Sequence, residues 1–131
     1  MSKSTLIDNL DILFTEQGDD FLKAEMPVND KTIQPFKILH GGANLALAET
    51  LGGALSAMVM NPADYSVKGM EINANHVRSV PEGDKVIAKA TILHHGKNGH
   101  IVQIAIHDVQ GNLVSISRLT NFIQKKDNKH E

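Results

Sequence analysis

QPFKILHGGANLALAETLGGALSAMVMN, residues 34–61, is the stretch whose reading decides the fold. From Ala43 to Met60 nearly every residue is apolar or small, with Asn44, Glu49, Thr50 and Ser56 the polar exceptions. Apolar residues at every helical phase predict one long helix, covered on nearly all sides. A carboxylate in such a helix needs an explanation, because an unpaired charge removed from water is costly. Helical spacing gives Glu49 the neighbours Gly42, Leu45, Ala46, Gly52, Gly53 and Ser56, most of them very small. Two readings follow. Either the glycines admit a second helix while Glu49 pairs with a Lys or Arg, or the acid stands in the wall of a ligand cavity. The preceding His40-Gly41-Gly42 favours the cavity, since it would set unpaired backbone N–H groups at a positive helix N-terminus, suited to a developing oxyanion.

Helix geometry then bears on assembly. At ~1.5 Å rise per residue, the eight steps from Gly41 to Glu49 span roughly 12 Å, too far for one carbonyl to meet both. If both serve one reaction, they come from different chains. Two such helices lying antiparallel across a two-fold axis would give two equivalent sites per dimer.

Outside this stretch the chain reads as sheet and connection. Leu6, Ile7, Leu10, Leu13 and Phe14 fall at helical spacing and predict a short amphipathic helix within residues 1–15. Residues 20–28 predict a first strand that ends near Pro27, followed by a polar loop. After an Asn61-Pro62-Ala63-Asp64 turn, residues 67–80 read as a strand with Met70, Ile72, Ala74, His76 and Arg78 on one face and Glu71, Asn73 and Asn75 on the other. Extended runs over 85–93, 101–108 and 113–123 are joined by HHGKNGH and VQGN, which read as hairpin turns. One helix wrapped by an antiparallel sheet is an α+β fold. The 131 residues fit a single domain, and the tail KKDNKHE, residues 125–131, reads as a frayed end.

Bulk properties bound the function. A net charge of −2 points to neither a nucleic-acid nor a membrane partner. The absence of Cys excludes thiol catalysis and a disulfide scaffold. No signal pattern opens the chain, and the long apolar run carries Glu49 and interior glycines, so a soluble cytoplasmic protein is expected.

The run QPFKILHGGANLALAETLG, with KGMEINANHVRS and LHHGKNGHIVQIAIHDVQGNLVSISRLT, resembles the hotdog-fold thioesterases of the phenylacetate-degradation type. The likeness is greatest to the branch that hydrolyses aromatic acyl-CoA thioesters such as 1,4-dihydroxy-2-naphthoyl-CoA, and it spans roughly residues 19–124. It implies a hotdog fold, an acyl-CoA substrate, no cofactor beyond the CoA of the substrate, and homodimers with shared sites that pair into dimers of dimers.

The resemblance also implies roles. Gly41 N–H would polarise the thioester carbonyl, with Gly42 beside it, and Glu49 would act as nucleophile or general base. Gln34 and His40 would orient the thioester or the water; read without the resemblance, Gln34 caps its loop and His40 is a satisfied loop histidine. Four residues after the acid, relatives often carry Ser or Thr to hold the attacking water. This chain has Gly53, and Ser56 one turn on is a candidate substitute. CoA phosphates call for cations and exposed amides. Asn75, His76, Arg78 and Ser79, the turn residues His94, Gly96 and Lys97, and Arg118 are the candidates. No acid or Cys completes a metal-ligand set with His94, His95 and His100, so no metal is expected. Two other classes are weighed: a hotdog dehydratase or hydratase, against which the short spacing of His40 and Glu49 argues, and a non-catalytic acyl-CoA sensor, which would carry a regulatory domain.

Overall fold

A computed structural model describes residues 5–127. The elements run α1 (Leu6–Asn9), β1 (Leu13–Gln17), β2 (Phe21–Pro27), α2 (Gly41–Val59), β3 (Tyr65–His76), β4 (Lys85–His95), β5 (Gly99–His107) and β6 (Leu113–Lys125). The strands form one six-stranded antiparallel sheet in the order β1-β2-β4-β5-β6-β3, and α2 lies across it. Alternation places Leu22, Ala24 and Met26 of β2, Val86 and Ala88 of β4, and Val102, Ile104 and Ile106 of β5 on the inner face, toward the helix. Against them α2 sets Leu47, Leu51 and Leu55, a stripe at every fourth residue that is fully buried. Each such side chain contributes about 1.5–3 kcal/mol relative to exposure.

Contrary to the expectation from its composition, the helix is not covered on nearly all sides. Ala43, Leu47, Ala48, Leu51, Gly52 and Leu55 are buried, but Leu45, Ala46, Gly53, Ala57 and Met58 are half-buried and Glu49 is exposed. The reason is geometric: one sheet covers one side of a helix, so the apolar outer face of α2 finds no full cover among the described residues. The two adjacent glycines therefore differ. A Cβ on Gly52 would stand 2.6 Å from Leu119 Cδ2, so its absence lets helix and sheet approach, whereas a Cβ on Gly53 would meet nothing within 4 Å.

The N-terminal segment departs from its periodicity. The helix lasts four residues and stops because Asp11 takes φ 57, a left-handed conformation that no α-helix continues through. Leu13 and Phe14 lie instead in β1, paired with Glu25 and Ala24 of β2. At the other end, Lys125 belongs to β6, and Lys126 is tied down by its N–H to Asp64 O and its Nζ to Pro62 O, both at 2.7 Å. The expected frayed tail is thus ordered through Lys126, and residues 128–131 lie outside the described residues.

β3 ends at His76 rather than Val80, and its register shifts between Gly69 and Glu71, leaving Met70 as an unpaired bulge residue. Ile72, Ala74 and His76 share a face as read, the inner one, opposite Leu119, Ser117 and Ser115, but the bulge takes Met70 out of the ladder and Gly69 joins them instead, opposite Asn121. Arg78 lies beyond the strand. β3 is 12 residues long and forms one edge of the sheet. Among the described residues no helix is long and apolar enough to cross a membrane.

Candidate active site

The start of α2 is held by backbone bonds from both sides. His40 N–H donates to Thr32 O at 2.8 Å, and Leu39 N–H donates to Val80 O at 2.9 Å. His40 is the N-cap: its Nδ1 accepts the Gly42 N–H at 2.7 Å, which places the ring hydrogen on Nε2. The Ala43 N–H donates to His40 O at 3.0 Å. Between the bonded amides of His40 and Gly42, the Gly41 N–H has no acceptor among the described residues. A helix N-terminus always leaves such groups, and here the cap takes the neighbours and spares this one. Gln34 sits in the turn before the helix, its N–H bonded to Ile38 O at 2.9 Å and its Oε1 accepting the Phe36 N–H. The readings of Gln34 as a cap of its loop and of His40 as a satisfied histidine thus both describe bonds that are present, with His40 bonded as the cap of the helix.

Gly41 opens onto a cleft of about 370 Å³ that it shares with Asn44, His76, Val77, Arg78 and Ser79. The His76 ring packs on Gly41, where a Cβ would stand 3.0 Å from Cδ2, and His76 Nδ1 is bonded to Ser115 Oγ at 3.0 Å. Asn44, one of the polar exceptions in the helix, carries no role in the sequence reading, yet it is only 3% exposed and its Oδ1 has no partner among the described residues. Its place among the few polar residues of an otherwise apolar helix was the available signal.

Glu49 is not among the residues lining that cleft. It leaves α2 on the exposed side and lays its carboxylate on Gly69 of β3, where a Cβ would come within 2.8 Å of Oε2. The remaining expected contacts fall into separate places. Asn75 and Arg118 lie on the outer sheet face, around a small cavity of about 130 Å³ shared with Asn73 and Gln103. His94 is in β4, and Gly96 and Lys97 form the β4–β5 hairpin tip at the far end of the sheet from His76. Along β6, the seven steps from Ser115, beside His76, to Phe122, beside Gly99, measure about 23 Å.

Ser56 must be reassigned. It is fully buried and faces the sheet, with Oγ 2.9 Å from His100 Nδ1 and 2.8 Å from Asn121 Nδ2. It cannot hold a water beside the exposed Glu49, because it stands a full turn past Gly53 on the covered side of the helix. Burial pushes the His100 imidazole below its ordinary pKa, and His95 and His94 push the same way. No group of three or more potential metal ligands occurs among the described residues.

The family model described as the thioesterase superfamily matches residues 36–115, from the turn before α2 to the start of β6. The chain belongs to the thioesterase superfamily. Among related thioesterases and hydrolases, the 1,4-dihydroxy-2-naphthoyl-CoA hydrolase of Escherichia coli is 44% identical over 123 residues, covering 94% of this chain and 89% of that one. A Haemophilus influenzae thioesterase structure is 38% identical with TM-score 0.90, covering 98% of this chain and 88% of that one. A Staphylococcus aureus thioesterase is 36% identical with TM-score 0.89, covering 93% of this chain and 100% of that one. It has been crystallised in two variants, one with a glutamate and one with a glutamine replaced by Ala. The thioesterase chain described here therefore has the hotdog fold that its motifs resemble, and it is a thioester hydrolase.

Proposed function

We propose that this thioesterase hydrolyses an aromatic acyl-CoA at a site shared by two protomers. The Gly41 N–H of one binds the thioester oxygen, and the partner subunit's Glu49 drives the hydrolysis. The observation that carries this reading is the Gly41 amide, left without an acceptor among the described residues between two bonded neighbours at a helix N-terminus. Glu49 either attacks the carbonyl carbon, giving an anhydride that water cleaves, or takes a proton from the attacking water. On either route the C–S bond breaks, CoA leaves as thiolate, and the acyl group departs as the free acid. The spacing of the two residues replaced in the S. aureus relative, 15 apart, equals that of Gln34 and Glu49 and supports giving both a role.

Sharing between protomers is supported by three features of the single chain. Gly41 and Glu49 lie eight residues apart, roughly 12 Å along the helix. The outer face of α2 is apolar and half-buried, and the long β3 edge offers unpaired backbone groups, which native proteins seldom leave open. Facing parity lets β3 meet its own copy only about an axis that passes through a residue, and we place that axis at Asn73. A two-fold axis at Asn73 pairs Ile72 with Ala74, both inward-facing, and the Met70 bulge carries Gly69 opposite His76. That pairing sets Glu49, which rests on Gly69, beside the partner subunit's Gly41, which rests on His76. It also brings each Gly96-Lys97 hairpin toward the partner's end bearing Arg78 and Ser79, so CoA phosphate would be held between chains. In this arrangement Asn75 and Arg118 face away from the thioester. Thiol release from benzoyl-CoA, hexanoyl-CoA and palmitoyl-CoA tests the substrate class. The reading expects the highest kcat/KM with the aromatic thioester, and no release from any of the three would overturn it.

A further inference from the structure

The Glu49 carboxylate rests on Gly69, a glycine in the interior of a strand. Gly69 is an inward-facing residue of β3, opposite Asn121, just before the bulge. It is not among the positive-φ glycines, which are Gly83 and Gly111, so its backbone is one that any residue adopts. Glycine within a strand is unfavourable, because it loses more conformational freedom than other residues and packs no side chain. What a side chain would meet is specific. An ideal Cβ would stand 2.8 Å from Glu49 Oε2 and 3.6 Å from Cδ, with Leu119 Cδ1 at an ordinary 3.6 Å. No backbone atom obstructs it. The only group that must move to admit a methyl is the end of the Glu49 side chain, which is on the exposed side of the helix and can swing at little energetic cost.

We infer that Gly69 is a positioning residue: its missing side chain is the seat that aims the Glu49 carboxylate. The inference rests on the proposed role of Glu49. The bulge contributes, since the two-for-one step at Met70 brings Gly69 rather than a side-chain-bearing residue under the acid. Because the atom that gives way is the end of a mobile side chain, Gly69→Ala should displace the acid while leaving the fold alone. A displacement of about 1 Å at a reacting group costs up to roughly 10²-fold in rate.

The test is a double-mutant cycle read by thiol release from benzoyl-CoA, with thermal melting and dimer mass measured on each variant. Gly69→Ala should lower kcat at least ~10-fold with KM changed less than ~2-fold and an unaltered melting temperature. Glu49→Asp withdraws the carboxylate by one methylene and vacates the seat. In that background Gly69→Ala should cost less than ~2-fold, a strong departure from additivity. The inference is overturned if Gly69→Ala leaves kcat unchanged, if its loss multiplies in full with that of Glu49→Asp, or if it fails to fold, which would show that the strand itself requires the glycine. Glu49→Gln separates the two claims. If it remains active, the role of Glu49 fails; if it is inactive while Gly69→Ala turns over normally, only the seat fails.

Discussion

His40 Nδ1 accepts the Gly42 N–H at 2.7 Å, and that bond fixes which amide of the α2 N-terminus stays available. Replacing His40 by Ala removes the cap and is expected to lower stability by about 1 kcal/mol. It also frees a second N–H beside Gly41, so the aim of the oxyanion donor is lost and kcat should fall. His40→Asn restores a capping oxygen but not the ring's Nε2–H. Chemical denaturation should show its stability recovered while kcat stays low. Recovery of both would mean that His40 only caps.

Gly53 faces open space, since a Cβ there would meet nothing within 4 Å. Its own chain therefore accepts a larger residue, which removes half of the packing risk that two adjacent helical glycines suggest. Gly53→Ser should raise kcat ~3–10-fold if a hydroxyl that holds the attacking water is what the site lacks. A fall in kcat accompanied by weaker dimers would instead assign Gly53 to contact between the two α2 helices.

How far the sequence reached depends on how much of each signal is local. The long helix, the HGG turn at its start and the lone acid were legible because composition and short-range spacing define them. The outward and sheet-facing sides of α2 were not, because apolar residues occupy every phase and no moment separates them. Ser56 was misread for that reason. Its neighbours on the helix are small in every direction, and only the sheet shows that it turns toward His100 and Asn121. β1 was missed because Leu6 through Phe14 fit helical spacing, and a single left-handed residue, Asp11, divides them. The bulge at Met70 leaves no mark in alternation, so the seat at Gly69 was invisible until Asn121 and Thr120 fixed the register.

The buried His100 gives stability a pH dependence. Its folded pKa lies below the ordinary value of 6.5 because burial disfavours the imidazolium. Below that value the unfolded chain takes up a proton that the folded chain refuses, so stability is full above it and declines as pH falls toward the folded pKa. Urea unfolding from about pH 8 to about pH 5 should show this loss, and His100→Gln should flatten it. Equal slopes for the two proteins would contradict the assignment. Ser56→Ala, which strands His100 Nδ1, should cost about 1–3 kcal/mol without changing KM.

The two-fold register at Asn73 is open to direct chemistry, because the chain contains no Cys. Asn73→Cys should oxidise to a covalent dimer, since the residue would face its own copy across the axis. Glu82→Cys, on an exposed residue outside the edge strand, should remain monomeric on denaturing gels. Cross-linking at both positions alike would argue against the register.

The claim that one site takes its amide from one protomer and its acid from the other is tested most directly by mixing two inactive proteins. Gly41→Pro deletes the amide donor at a helical position that tolerates proline, and Glu49→Gln deletes the acid. In a mixed dimer, one site would hold both lesions and the other neither. Dimers re-formed from the two variants should regain thiol release at roughly half the wild-type rate per mixed dimer. If verified, folded mixed dimers stay inactive, the amide and the acid act within one chain, and the shared site is wrong.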